Sequence, residues 1–347
     1  MKSIYHKLAK ISLVCVYLII VAGSVVRMTG SGMGCPDWPK CFGYYIPPTS
    51  ADVLEFKPNF NYKKGQVIQI DKVFHYAKQD FTSGGRLNII NWKKNTTHEY
   101  NTFNVTHTWI EYINRLLTVV AGIPIFLLFI TSLFLFKKEK ILTLLAFLVI
   151  VLMGFEAWLG KTVVDSNLMP TKISVHLGVA FLIVLTLIYG VFKSGHYTKV
   201  ITPSKTFKKL LLIAFSLTIV QIVLGIQVRQ MVDLKIMDVG YEKSIWLEDI
   251  DWKFYVHRTF SIVVLLVNFW LFYINRKDLL KLNLLNYVIL ILFLEILTGV
   301  VMVYLDFPLL TQPLHLVMSG IILGLQFMLL LQIYLSSTYL KKQANDL

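Results

Sequence analysis

Three histidines inside apolar segments, His176, His257 and His315, are the residues best placed to do chemistry in this chain of 347 residues. His176 lies sixteen residues after the glycine of Phe155-Glu156-Ala157-Trp158-Leu159-Gly160, and His315 follows the glycine of Leu294-Glu295-Ile296-Leu297-Thr298-Gly299 at the same interval. A second echo pairs Glu111-Tyr112-Ile113-Asn114-Arg115 with Phe254-Tyr255-Val256-His257-Arg258. A third pairs Gly23-Ser24-Val25-Val26-Arg27 with Gly225-Ile226-Gln227-Val228-Arg229. Ionisable groups are costly in hydrocarbon, so their repetition in register marks a function. Imidazole is an axial ligand of haem iron, and helix bundles supply such ligands from facing helices. One intramembrane histidine reads equally well as an interhelical hydrogen-bonding group; three at one depth favour ligation.

His257 and His315 belong to one half of the repeat and can hold one haem from both sides. In the other half Asn114 stands where His257 has its counterpart, so His176 has no obvious opposite ligand. Glu111 has no acidic counterpart, since Phe254 occupies the matching place. His107, Glu111 and Asn114 share one helix face. A haem held unsymmetrically beside an acid reads as a reaction site, and one held by two histidines as an electron carrier. Arg27, Arg115, Arg229 and Arg258 fall at repeat-equivalent places near helix ends, suited to the two propionates of haem; snorkelling to lipid headgroups is the plainer reading. Glu156, Gln221 and Glu295 each precede a glycine by four residues and read as interhelical polar contacts, with a proton relay as the sharper alternative.

These groups need a membrane scaffold. The composition is 56% hydrophobic, mean hydropathy is +0.63, and eight apolar runs cover about 8–28, 107–136, 140–163, 172–193, 206–228, 253–274, 283–305 and 311–335. Each has the ~20 residues a spanning helix needs. The expected fold is an all-α membrane protein: eight transmembrane helices in two four-helix bundles related by a pseudo-twofold axis. Residues 1–200 form the N-terminal half, with an outer loop over 29–106, and 201–347 the C-terminal half. Lys2, Lys7 and Lys10, then Lys137, Lys138 and Lys140, Lys193 to Lys209 (Lys199 among them), Arg276, Lys277 and Lys281, and Lys341 and Lys342 all fall on one side, which the positive-inside rule makes cytoplasmic. Both termini are then cytoplasmic. The net charge of +14 is mostly this signal, and with no basic soluble domain nucleic acid is not a partner. The three histidines come four to six residues after the outer starts of their helices, roughly 6–9 Å deep.

The loop over 29–106 carries aromatic residues from Tyr44 to Tyr100 that can pack a small cap, and His75 and His98 are weaker candidate ligands. Cys35 and Cys41 lie in the same loop; a disulfide or redox-active pair is favoured over free thiols, and a metal site is disfavoured because no CxxC spacing or nearby histidine accompanies them. The second long loop, 230–252, is acidic, with Asp249 among its charges.

Arg27-Met28-Thr29-Gly30-Ser31-Gly32-Met33-Gly34-Cys35-Pro36-Asp37-Trp38-Pro39-Lys40-Cys41 looks like a family-specific outer loop with its cysteine pair. With Glu111-Tyr112-Ile113-Asn114-Arg115, Val175-His176-Leu177-Gly178, Val256-His257-Arg258 and Pro313-Leu314-His315-Leu316, it makes the chain resemble the haem A synthase family over nearly its whole length. The resemblance implies oxidation of one methyl group of haem O to a formyl group by successive hydroxylations, giving haem A for terminal oxidases. It implies haem b on His257 and His315, substrate haem O on His176, and Glu111 in catalysis. It also implies a bacterial plasma (inner) membrane setting with the long loops outside, haem O synthase and an electron acceptor as partners, and leaves a homo-oligomer open. The family's second-helix histidine is Asn114 here, which leaves the substrate iron five-coordinate or held by another group such as His107. Two other readings stand beside this one: a di-haem electron-transfer cytochrome, and a haem-handling transport or assembly protein.

Overall fold

Leu-, Ile-, Val- and Phe-rich runs of this length have one stable form in hydrocarbon, a helix, because it satisfies its own backbone. The computed structural model describes residues 1–71, 73–95, 103–195, 203–240, 242–248 and 250–345, with side chains described to residue 335. His98, Tyr100, Lys199 and Asp249 lie outside them, as do the side chains of Lys341 and Lys342. Eight helices form: α1 (Lys2–Met28), α2 (Val105–Leu133), α3 (Lys140–Asp165), α4 (Pro170–Ser194), α5 (Lys205–Val239), α6 (Trp252–Lys277), α7 (Leu284–Tyr304) and α8 (Thr311–Asn345). All eight are long and apolar enough to cross a membrane. Their outward faces are apolar, with Val119 67%, Leu266 63% and Phe293 64% exposed, the reverse of a soluble bundle.

Local chemistry sets several ends. Pro170 opens α4, where its missing N–H costs nothing. Ser204 Oγ accepts the Phe207 N–H at 3.2 Å and caps α5. That helix runs to Val239, eleven residues past the expected 228 and into the acidic loop. No glycine or proline interrupts the stretch, Arg229 pairs with Asp233 one turn on at 3.0 Å, and the helix ends at Gly240, whose φ is 77°.

The chain divides into two compact units. One comprises Met1–Val21, Ala121–Gly154 and Leu177–Leu347. In it Tyr5, Leu128, Leu142 and Leu187 share one buried cluster, and the Tyr5 hydroxyl donates to the Leu142 carbonyl at 3.1 Å. A second cluster joins Phe207, Leu211, Leu271 and Leu285. Here α5 and α7 each pack against both α6 and α8, so α6 and α8 stand at opposite corners of a four-helix ring.

The other unit comprises Ala22–Val120 and Phe155–His176. Its loop folds into the expected aromatic cap, built on small antiparallel sheets. β1 (Asn61–Tyr62) pairs with β4 (Phe81–Thr82), and β3 (Val73–Ala77) lies between β2 (Val67–Ile70) and β5 (Trp92–Lys94). Tyr62, Trp92, Phe81 and Phe60 pack edge-on and stacked at 4.8–5.5 Å between centroids. Gly43 closes the cap, with φ 81° and a position where a Cβ would meet the Gln66 backbone. Gly43→Ala should therefore destabilise the cap by about 1–3 kcal/mol, read as an earlier loss of the near-ultraviolet dichroism of the aromatic cluster on heating.

Candidate functional site

Thr108, Glu111 and Arg115 recur at helical spacing and present one face of α2 to the segment Gly34–Cys41. Thr108 Oγ1 donates to the Gly34 carbonyl at 2.8 Å. Glu111 Oε2 accepts the Cys35 N–H at 2.8 Å, and its other oxygen pairs with the Arg115 guanidinium. Arg115 also donates to the carbonyls of Asp37 and Lys40, both at 2.9 Å, and to that of Cys35 at 3.4 Å. Glu111 is 4% exposed. The Cys35–Cys41 disulfide forms and is fully buried. Asp37 folds the segment from within: its oxygens accept the Phe42 and Gly43 N–H groups at 2.6 and 2.8 Å. Burial pushes the Asp37 carboxyl above its usual range, against those two N–H groups and Arg115, which pull it down.

Every even-numbered helix of the chain seats a polar side chain against a glycine of the helix before it. A Cβ on Gly225 would stand 3.0 Å from His257 Cε1, one on Gly299 3.5 Å from His315 Cε1, and one on Gly160 4.0 Å from His176 Nε2. The fourth seat is Gly23, where the nearest atom is Asn114 Oδ1 at 3.8 Å. Asn114 thus occupies the structural place of an imidazole. Among the described residues its Oδ1 is buried without a hydrogen-bond partner, as is His107 Nδ1 about two turns earlier on the same helix.

The polar residue one turn before three of these glycines reaches the same helix as the imidazole. Glu156 pairs with His176 Nδ1. Gln221 Nε2 donates to the His257 main-chain carbonyl at 3.0 Å. Glu295 offers its carbonyl to His315 Nδ1 at 3.0 Å, with Thr298 Oγ1 also at 3.0 Å and the Glu295 carboxylate 3.5 Å from Nε2. For His176 and His315 these contacts reach Nδ1 and orient the ring, which is what an imidazole ligand needs from its surroundings; at His257 the contact holds the main chain alone. His257 and His315 come together with ring centroids 6.4 Å apart and planes at 75°, and His257 Nδ1 is buried with no hydrogen-bond partner.

The arginines are distributed differently. Arg115 is committed to the disulfide segment. Arg229 pairs with Asp233, and Arg258 lies over the rings of Phe254 and Tyr255 at 5.9 and 5.3 Å. Arg27 lies in the last turn of α1. His75 sits in β3 opposite Ile68 and Lys94. Thr108, Asp37 and the glycine seats escape a reading by residue type, because their contributions are a backbone contact or an absent side chain; Thr298 escapes it because its hydroxyl meets His315 on another helix. The repeated Glu-x-x-x-Gly and Gln-x-x-x-Gly spacing is the signal that points to the seats.

Comparison with known proteins bears on the chain as a whole. The family model described as cytochrome oxidase assembly protein matches residues 6–79 and 90–327. A haem A synthase of Shewanella oneidensis is 26% identical over 220 residues, covering 63% of this chain and 54% of that protein, about half its length. A haem A synthase of Flavobacterium johnsoniae is 25% identical over 347 residues, covering 90% of this chain and 92% of the relative. One of Rickettsia africae is 24% identical over 369 residues, covering 93% and 96%.

Gly34 controls the approach of the disulfide segment, since a Cβ there would collide with the His107 carbonyl and the Thr108 nitrogen. Gly34→Ala should lift the segment from α2 and expose Cys35–Cys41, so that dithiothreitol reduces it at least ~10-fold faster, the equivalent of about 1.4 kcal/mol of lost protection, by thiol alkylation and mass spectrometry. An unchanged rate would show that the contact is slack.

Proposed function

Because the chain belongs to the cytochrome oxidase assembly protein family, we propose that it is a haem A synthase, an oxidoreductase that converts a methyl group of haem O to a formyl group by successive hydroxylations. The match of the family across nearly the whole chain carries this reading. The finer assignments rest on the residues. The N-terminal half, 1–200, takes haem O on His176, and the C-terminal half, 201–347, holds haem b between His257 and His315. His257 and His315, whose ring centroids lie 6.4 Å apart, are the two residues that would hold it. Haem b held there supplies one-electron redox chemistry.

Each protein group then has a task. Glu295 and Thr298 hold His315 by Nδ1, so that Nε2, with the Glu295 carboxylate 3.5 Å away, would be the nitrogen offered to the metal. Glu156 does the same for His176 from its own helix. Gln221 pins the α6 backbone at His257. Glu111 is a carboxylate held in place by Arg115 and the Cys35 N–H, and it accepts or returns a proton at Oε1 or Oε2 as the methyl carbon is oxidised. Asn114 leaves one face of the substrate iron without an imidazole, which favours this reading over a di-haem electron carrier with both irons closed.

Arg27, Arg229 and Arg258 are the propionate-binding candidates; Arg115 reaches that role only through groups beyond its loop contacts. The lysine-rich connections support a topology with both termini cytoplasmic and residues 29–106 outside; a bacterial inner membrane and a pseudo-twofold relation of the halves belong to the same reading. The bilayer, haem O synthase and an electron acceptor are the partners, and no nucleic acid is involved.

Haem extraction and chromatography test the reading, using protein purified from cells with and without a haem O source. Haem b in both samples, with a hydroxylated intermediate or haem A only when haem O is supplied, is the expected result; haem b alone in both would overturn it. Glu111→Gln should keep haem b at wild-type stoichiometry and lower product by roughly 100-fold or more. Full product formation in that variant would remove Glu111 from catalysis.

A further inference from the structure

The C-terminal half buries a pair of amides on two of its helices. Asn268 on α6 and Gln326 on α8 are both fully buried, each at 0% exposure. Gln326 Nε2 donates to Asn268 Oδ1 at 2.9 Å, and Asn268 Nδ2 donates back along its own helix to the Val264 carbonyl at 2.8 Å. Among the described residues Gln326 Oε1 is buried with no hydrogen-bond partner. Burying an unpaired amide oxygen is unfavourable, and a pair of aliphatic residues would avoid it.

Their register explains why they are there. Asn268 follows His257 by eleven residues, and Gln326 follows His315 by eleven. Eleven residues make three helical turns, so each amide lies on its histidine's face, about 16 Å further along the helix. The same step in the N-terminal half runs from Asn114 to Ile125 and from His176 to Leu187, both buried in an apolar cluster. Only the half with two imidazoles carries the amide bridge. The helices it joins, α6 and α8, occupy opposite corners of their ring, so neighbour packing alone fixes their separation indirectly.

We propose that the Asn268–Gln326 hydrogen bond is a positioning device for the haem b site: a tie between α6 and α8 that sets the spacing and rotation of the helices bearing His257 and His315. It rests on the reading of those histidines as the two axial ligands of one iron. A hydrogen bond between amides is directional, so it fixes register and rotation as well as distance, which aliphatic contact does only loosely. With the tie in place both imidazoles stay on the iron. Without it, one ligand detaches more often and the haem opens to exogenous ligands.

The test uses full-length protein in a His176→Ala background, so that the C-terminal haem is the one read out. Asn268→Leu keeps the branching and Gln326→Met the length of the replaced side chain, and each removes the bond. The reciprocal swap, Asn268→Gln with Gln326→Asn, restores an amide pair of the same combined length. The parent should hold a low-spin reduced haem that is inert to carbon monoxide. Each single variant should raise the carbon-monoxide-binding fraction and the rate of haem transfer to apomyoglobin by about 10-fold or more, and the swap should bring both back toward the parent. Single variants as inert as the parent, or a swap no better than the single variants, would overturn the tie. A parent without a low-spin, carbon-monoxide-inert haem would overturn the two-histidine ligation and the tie with it.

Discussion

A polar side chain in hydrocarbon is costly without a partner, and the charged groups of this chain's helices are arranged under that constraint. Glu111 enters its helix with Arg115 one turn away, Arg229 with Asp233, and Glu156 with His176. Removing one member of a buried pair leaves an uncompensated charge, at a cost of about 3–5 kcal/mol. Partnership therefore sets where chemistry can be placed. It also couples the α2 face to the disulfide segment, because Arg115 has more donors than Glu111 can accept and directs the surplus to the Asp37, Lys40 and Cys35 carbonyls.

The spans were legible from hydropathy because length and apolarity are the whole of the physical requirement. The far end of α5 was not. Charges in 229–239 read as loop, whereas an Arg229–Asp233 pair makes them good helix surface, and the stop is Gly240. The cap was legible as an aromatic cluster, while its strands were too short for alternation to show. Among the site residues, the histidines stood out because their register repeats. The commitment of Arg115 was hidden, since its partners are main-chain carbonyls and no residue type announces them. Asn268 and Gln326 stood within apolar runs where a single amide reads as tolerance, and only the closeness of α6 and α8 pairs them.

The two halves share a ground plan and diverge in what fills it. Both place a polar residue against a glycine near one end of each even helix. One half then has two imidazoles with an amide bridge three turns along. The other has one imidazole, an asparagine, an anchored carboxylate, and an aliphatic pair at the matching depth. The polar inventory of the first half is concentrated around the disulfide segment, and that of the second runs along the facing sides of α6 and α8.

The glycine seats carry a consequence for how such a site can change over time. A ring resting on bare backbone is located by the helix pair and not by a shaped pocket of side chains, so a residue of different chemistry can take the seat without moving a helix. Asn114 does so, with its Oδ1 3.8 Å from where a Gly23 Cβ would be. Holding a ligand position and choosing its ligand are thereby separate tasks, the first belonging to the scaffold and the second to one codon. Coordination number becomes a trait that a point substitution can alter in one half while the other keeps its own.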